Sequence, residues 1–255
     1  MEIINNFIKK KYWVTVLVVL GVFFGYKYAT DNHLIDAYLF PMVEEIALSF
    51  QENWQDMFLN LWYSLQLMIP SILISVVLAL GFGIWFGLSK TAREISYPIT
   101  YTVSVIPAIL LSPFVLNLAP SFRAASLFIC VYCNVWPTLF ATITGVTTVD
   151  KRYLDNAATL QLTKFEKVTK VILPAALPSI MSGFVSSLRG SFLVLVYAEM
   201  YGAEYGMGYF VKRSANFGLF NDVWSGFIFM VFILVLIMLM FEKIKDRMLK
   251  WTMDV

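Results

Sequence analysis

From Leu61 to Leu88 the chain carries no charged side chain. A helix needs about 20 mostly apolar residues to cross the hydrocarbon core of a bilayer. Lipid offers the backbone no hydrogen-bond partners, so a run like this one must be helical. Five further runs are also long and mostly apolar: Tyr12–Tyr28, Tyr97–Leu118, Ala124–Val146, Ala176–Tyr201 and Val223–Phe241, with Lys27, Arg189 and Glu199 the charged residues among them. Hydrophobic residues make up 59% of the 255 positions and charged residues 14%, against roughly 25% charged in a soluble domain. The pattern predicts an all-α integral membrane protein with six transmembrane helices.

Between the runs the chain is short and polar. Lys9, Lys10 and Lys11 precede the first run. A positive start before an apolar stretch can mark a secretory signal, but no A-x-A-like cleavage site follows, so the run reads as an uncleaved first span. The segment Asp31–Asp56 is acidic and interrupted by Pro41. Val43, Ile46, Ala47 and Phe50 keep helical spacing, which predicts a separate surface or interfacial helix over Pro41–Met57. Pro70 is expected to kink the second span, and Gly81, Gly83 and Gly87 to allow close helix approach. Pro107 and Pro113 are expected to break the third. Trp54, Trp62, Trp136, Trp224 and Trp251 include candidate interface anchors.

Lysine and arginine set the orientation. With the N-terminus inside, fourteen fall on inner segments and four on outer ones, Lys27, Arg123, Lys212 and Arg213. Both termini are therefore expected in the cytoplasm, and the outer face then holds the acidic segment and the Gly202–Asn221 loop.

Several chemistries find no motif. There is no G-x-x-x-x-G-K-[ST] phosphate loop and no H-E-x-x-H, and no acid pair lies within a span. Cys130 and Cys133 form a C-x-x-C, but inside an apolar run, with the single histidine, His33, far away. They read as small apolar residues of a membrane helix, and no metal site is expected.

One polar island remains, Asp155–Pro178, DNAATLQLTKFEKVTKVILPAALP. It is too short to bury a core of its own, so it must lean on the membrane domain or on a partner. Asp155 or Asn156 is placed to cap a helix, and Ala157, Ala158, Leu160 and Leu162 give a surface that another protein can approach closely. Lys164, Lys167 and Lys170 recur at three-residue spacing as a basic side. Pro174 is expected to end this helix, and Pro178 to lie in the first turn of the next span. On physical grounds alone an amphipathic loop resting on anionic headgroups remains an equal reading.

The island resembles the EAA loop of ABC-importer permeases, whose pattern is Glu-Ala-Ala, three residues, Gly, nine residues, then Ile-x-Leu-Pro. Asp155 stands for Glu, Asn156 and Ala157 for the alanines, Gln161 for Gly and Val171 for Ile, while Leu173 and Pro174 match. The missing Gly makes the turn after the first helix less free. Ile106–Phe114 resembles the IPxxAxxPL segment of the nitrate/sulfonate/taurine-like group. Ala198-Glu199-Met200, Gly206-Met207-Gly208-Tyr209 and Asn216-Phe217 resemble its AEM…GLGYL…NF tail.

The resemblance implies a permease subunit moving a small solute by alternating access. The solute would be an anion such as nitrate, sulfonate or taurine, or a vitamin precursor. The implied partners are a second permease copy, two cytoplasmic ABC ATPase subunits and an external solute-binding protein. The chain would lie in a prokaryotic inner membrane and have no nucleic-acid partner. It would hold no cofactor and no catalytic residue, with ATP and Mg on the partner ATPase. Coupling would fall to Asp155, Asn156, Ala157, Ala158, Thr159, Leu160, Gln161, Leu162 and Thr163. The chain would divide into an N-terminal span and external segment (1–57), a transmembrane core (58–241, coupling loop 150–178) and a cytoplasmic tail (242–255). The alternatives are a membrane scaffold that recruits another cytoplasmic partner, and a membrane-embedded enzyme.

Candidate pathway positions are Ser104, Pro107, Ser112, Asn134, Ser187, Arg189, Ser191 and Glu199, with Ser186 beside them. Each polar residue can equally be interhelical glue. Arg189, in SSLRGSF, is the sharpest of them, because a charge within a span costs about 2.5–3.5 kcal/mol on insertion scales and is normally paired or faces a cavity. It is either an anion contact or a structural pair with carbonyls, Glu199 or a second copy. Glu199 lies roughly 15 Å along the same helix, which disfavours it as the partner. Glu199 itself is expected at the outer mouth.

Overall fold

Leu61–Leu88 is the C-terminal part of a much longer helix, Val43–Leu88. The computed structural model describes residues 2–253, with side chains described from 13 to 251. Lys9, Lys10 and Lys11 thus lie outside the described side chains. Eleven α-helices follow in order, and no strand occurs among the described residues: α1 Glu2–Asp31, α2 Val43–Leu88, α3 Lys90–Val105, α4 Ala108–Leu118, α5 Phe122–Thr147, α6 Lys151–Thr159, α7 Lys164–Lys167, α8 Leu173–Met200, α9 Met207–Asn216, α10 Phe220–Met248 and α11 Lys250–Met253. A π-helical turn, Val168–Ile172, joins α7 to α8. Five stretches are long and apolar enough to span: Trp13–Asp31, α2, α5, Lys164–Met200 and α10. The α3–α4 pair, bent by 88°, passes the same test taken together and brings the number to six if it counts as one broken span.

That bend follows from Pro107. The residue before a proline is pushed out of the helical region, and Ile106 sits at φ −69°, ψ 118°. The carbonyls released by the break do not go unpaired: the Tyr132 hydroxyl of α5 donates to those of Val103 and Ile106. Pro113, expected to break the span too, lies inside α4.

The separate interfacial helix expected over Pro41–Met57 does not exist. α2 is continuous from Val43, through the expected boundary at residue 57 and through Pro70. The acidic residues that suggested a surface segment share this helix with an inward face, on which Ile46, Ser49, Met57, Asn60 and Ser64 are buried. Ser49 and Asn53 donate to the Asp222 carboxylate at the start of α10, at 2.6 and 3.1 Å. At the end of α1, Tyr26 donates to the Pro41 carbonyl at 2.8 Å, and Lys27 pairs with Glu44 and Asp31.

The centre of the bundle is α5, which packs along both α2 and α8. Small residues make that possible. A Cβ at Gly83 would lie 2.6 Å from the Thr142 Cβ, and one at Gly87 2.6 Å from Val146 Cγ1. These two glycines form a small-xxx-small seam, whereas Gly81 faces open space. Cys130 belongs to the apolar core here, with Leu67, Met68, Ile129, Phe192 and Leu195.

Candidate functional site

The polar island is built around two caps and one left-handed residue. Asp150 starts α6, five residues before the cap expected at Asp155 or Asn156: its carboxylate accepts from the Arg152 N–H at 2.8 Å and pairs with the Arg152 guanidinium. That guanidinium holds the Asp150 carboxyl below the usual carboxylate range. Asp155 and Asn156 lie in mid-helix instead. α6 closes in a Schellman turn: the Leu162 N–H donates to the Ala157 carbonyl at 3.2 Å and the Gln161 N–H to Ala158 at 3.0 Å. Such a turn needs a left-handed residue between cap and exit, and Gln161 supplies it at φ 51°.

Thr163 then caps α7 in a reciprocal box with Glu166. The Thr163 hydroxyl accepts from the Glu166 N–H at 3.3 Å, and the Glu166 carboxylate from the Thr163 N–H at 3.1 Å. The sequence signal for it, T-x-x-E, is present at Thr163–Glu166. Pro174 does not end the helix. The Leu173 N–H reaches back five residues to Val168, and this π-helical turn carries the chain past the proline, so Lys164–Met200 is continuous. The three lysines do not form one side, because each three-residue step falls about 60° short of a full turn. Lys170 pairs with Glu166 at 2.8 Å and lines a different cavity from Lys164 and Lys167.

Of the nine residues Asp155–Thr163, Ala157 is buried and Leu162 half-buried, while the other seven are exposed. Leu160 is 71% exposed and Phe165 of α7 77%. Aromatic and aliphatic side chains are thus offered outward on a capped, ordered loop.

At the other end of α8 a second constellation forms. Glu199 is 3% exposed. Its carboxylate accepts from the Gly208 N–H at 2.8 Å, while Asn60 Oδ1 accepts from Gly206 N–H at 2.8 Å and Ser64 Oγ from Met207 N–H at 2.9 Å. Three successive amides at the start of α9 are held by side chains of α2 and α8, where a carboxylate also suits the helix's positive end. The glycines are obligatory here: Gly206 has φ 124°, and a Cβ on Gly208 would lie 2.4 Å from the Val196 carbonyl oxygen. Sequence reasoning singled out Glu199 and these glycines but missed Asn60 and Ser64, more than a hundred residues earlier. Glu199 also borders a cleft of about 400 Å³ with Gln66, Arg123, Glu204 and a stacked Tyr63–Tyr205 pair.

The remaining candidates scatter. Asn134, Ser187 and Ser191 are buried where α5 meets α8: Ser187 bonds Thr138 Oγ1 at 2.8 Å and donates to the Asn134 carbonyl at 2.7 Å, and Ser191 donates to the Ser187 carbonyl. The Asn134 side-chain amide has no partner among the described residues. Ser186 donates to the Ser182 carbonyl of its own helix. Ser112 is buried on α4, Ser104 half-buried at the end of α3, and Pro107 exposed at the bend between them. Arg189 is 65% exposed and pairs across helices with Glu242 of α10 at 3.4 Å, a partner with no local signal in the sequence.

Five long apolar helices and the bent α3–α4 pair, with a capped helical loop presented between α5 and α8, define a polytopic membrane protein. Residues 79–250 match the family described as the binding-protein-dependent transport system inner membrane component, and the chain belongs to that family. SsuC of Bacillus subtilis, named for aliphatic sulfonates transport, is 26% identical over 220 residues, covering 86% of this chain and 80% of that protein. The nitrate import permease protein NrtB of Leptolyngbya laminosa is 27% identical over 169 residues, covering 66% of this chain and 61% of its own length. Among solved structures, an inward-facing form of the MetNI methionine ABC transporter aligns with a TM-score of 0.63 at 16% identity, over 73% of this chain and 93% of that one. At that identity the likeness speaks for the fold.

Proposed function

We propose that the chain is the permease subunit of an ATP-driven importer for a small anionic solute of the sulfonate or nitrate kind. Two copies surround one pathway, two ATPase subunits dock on the face bearing α6, and a solute-binding protein docks at the opposite face. ATP and Mg belong to the ATPase, and this chain binds no cofactor. The α6 face and both termini are cytoplasmic in this reading, as the lysine and arginine distribution supports.

The observation that carries the reading is the unbroken helix Lys164–Met200. Its 37 residues run about 55 Å from the exposed loop to the Glu199 clamp on α9. In this reading the helix moves as a body despite its π-helical turn, so a displacement of α6 by a closing ATPase pair reaches the opposite cleft. Two states a few kcal/mol apart are then switched by differential binding. Within this scheme Ser187 fastens α8 to α5 through Thr138 and the Asn134 carbonyl, and Arg189 with Glu242 fastens α8 to α10. Ser104, Ser112 and Pro107, at the α3–α4 bend, are the pathway candidates.

Co-purification tests the docking. Ala158 is exposed beside buried Ala157, so Ala158→Arg places bulk and charge on the outward face without touching the core. The expected result is loss of the ATPase with unchanged membrane insertion and helical content. Normal ATPase recovery with this variant would contradict docking through α6.

A further inference from the structure

Four cations converge on one cavity that the coupling scheme does not use. Lys90 and Arg93 of α3 and Lys164 and Lys167 of α7 line a space of about 480 Å³, and no carboxylate lines it. Lys90 pairs with Glu94 at 3.8 Å, with both side chains well exposed. Lys164 and Lys167 make no ion pair among the described residues. Arg93 is held in place by donating to the carbonyls of Phe86 and Gly87 at 3.4 and 3.0 Å. The cavity lies where α2 ends, at the edge of the apolar span. Leu88 contributes an apolar wall, and exposed Trp85 lies one turn along the same helix, the position of an aromatic interface anchor. A cluster of four cations, three of them without a carboxylate partner among the described residues, at a span end and beside apolar surface, matches a phosphate oxyanion carried on acyl chains.

We propose that this cavity binds the phosphodiester headgroup of an anionic phospholipid, with the acyl chains against Leu88 and Trp85. The bound lipid bridges α3 to α7, the first turn of the long helix. The proposal rests on the membrane-spanning fold and not on the transport reading.

The test is native mass spectrometry of the full chain, taken from nanodiscs of phosphatidylcholine with or without phosphatidylglycerol. Lys164→Gln with Lys167→Gln is expected to weaken phosphatidylglycerol retention about 25-fold, at about fivefold per charge near an anionic surface. Lys243→Gln with Lys245→Gln removes the same charge outside the cavity and is expected to leave retention within about twofold of the parent. Unchanged helical content by circular dichroism keeps unfolding from imitating the loss. Equal losses for the two pairs, or none for the first, would overturn the site. Displacement of the lipid by inorganic phosphate would reassign the cavity to a free anion. Retention by the isolated chain that vanishes in the complex purified from native membranes would reassign it to a protein partner. Either result would also overturn the lipid assignment.

Discussion

Gln161 occupies a position where glycine is the better residue. At φ 51° it sits in the left-handed region, which costs an L-residue about 1–2 kcal/mol. Glycine escapes that cost but loses about 0.5–1 kcal/mol more backbone entropy on folding. Gln161→Gly is therefore expected to stabilise the end of α6 by about 1 kcal/mol. The amides that report it are those of Gln161 and Leu162, which donate to Ala158 and Ala157. Their hydrogen exchange is expected to slow about fivefold, while amides in mid-α5 stay unchanged. Gln161→Val, β-branched, is expected to act in the opposite direction. Unchanged or faster exchange in the glycine variant would refute the left-handed turn and the Schellman geometry with it.

Three further outcomes follow from the packing. Gly183→Ala puts a Cβ 2.3 Å from that of Ala141 and 2.7 Å from the Pro137 carbonyl oxygen, so it is expected to destabilise the α5–α8 contact by about 1–3 kcal/mol, read as a lowered thermal midpoint in detergent. Glu199→Leu leaves the buried Gly208 N–H without its acceptor, an expected cost of about 1–3 kcal/mol. Glu199→Gln keeps an acceptor and forfeits about 0.3–1 kcal/mol of helix-end attraction, and thermal midpoints in that order check the clamp. Because Arg189 and Glu242 pair with each other, Arg189→Ala, Glu242→Ala and the double variant are expected to lower uptake by similar factors. Additive losses would point to separate roles.

What could be read from the chain beforehand was whatever one element writes locally. Apolar length declared the spans, and Pro107 declared the bend. Asp150 and Thr163-x-x-Glu166 are equally local signals that mark the loop's helix starts, but Asp155 and Asn156 are also cap-forming residue types, and residue type alone does not rank them. The continuity of α2 was hidden because its acidic outer face resembles a surface helix, while its inward face is defined by α9 and α10, far along the chain. Pro174 looked like a stop because its missing N–H is visible in sequence and a π-helical turn is not. The Glu199 clamp needed Asn60 and Ser64, and Arg189 needed Glu242. These pairings exist only once the helices are packed, and no periodicity or spacing encodes them.

The central claim is that the helix from Lys164 to Met200 carries motion from the α6 loop to the opposite cleft. Thr169→Gly with Lys170→Gly softens it within the π-helical turn, at about 1 kcal/mol per glycine, and changes no residue of α6. In proteoliposomes holding the chain, its ATPase and its binding protein, solute uptake is measured per ATP hydrolysed. The account predicts that the ATPase stays bound and hydrolysis continues, while uptake per ATP falls. Uptake per ATP equal to that of the unaltered chain would contradict it.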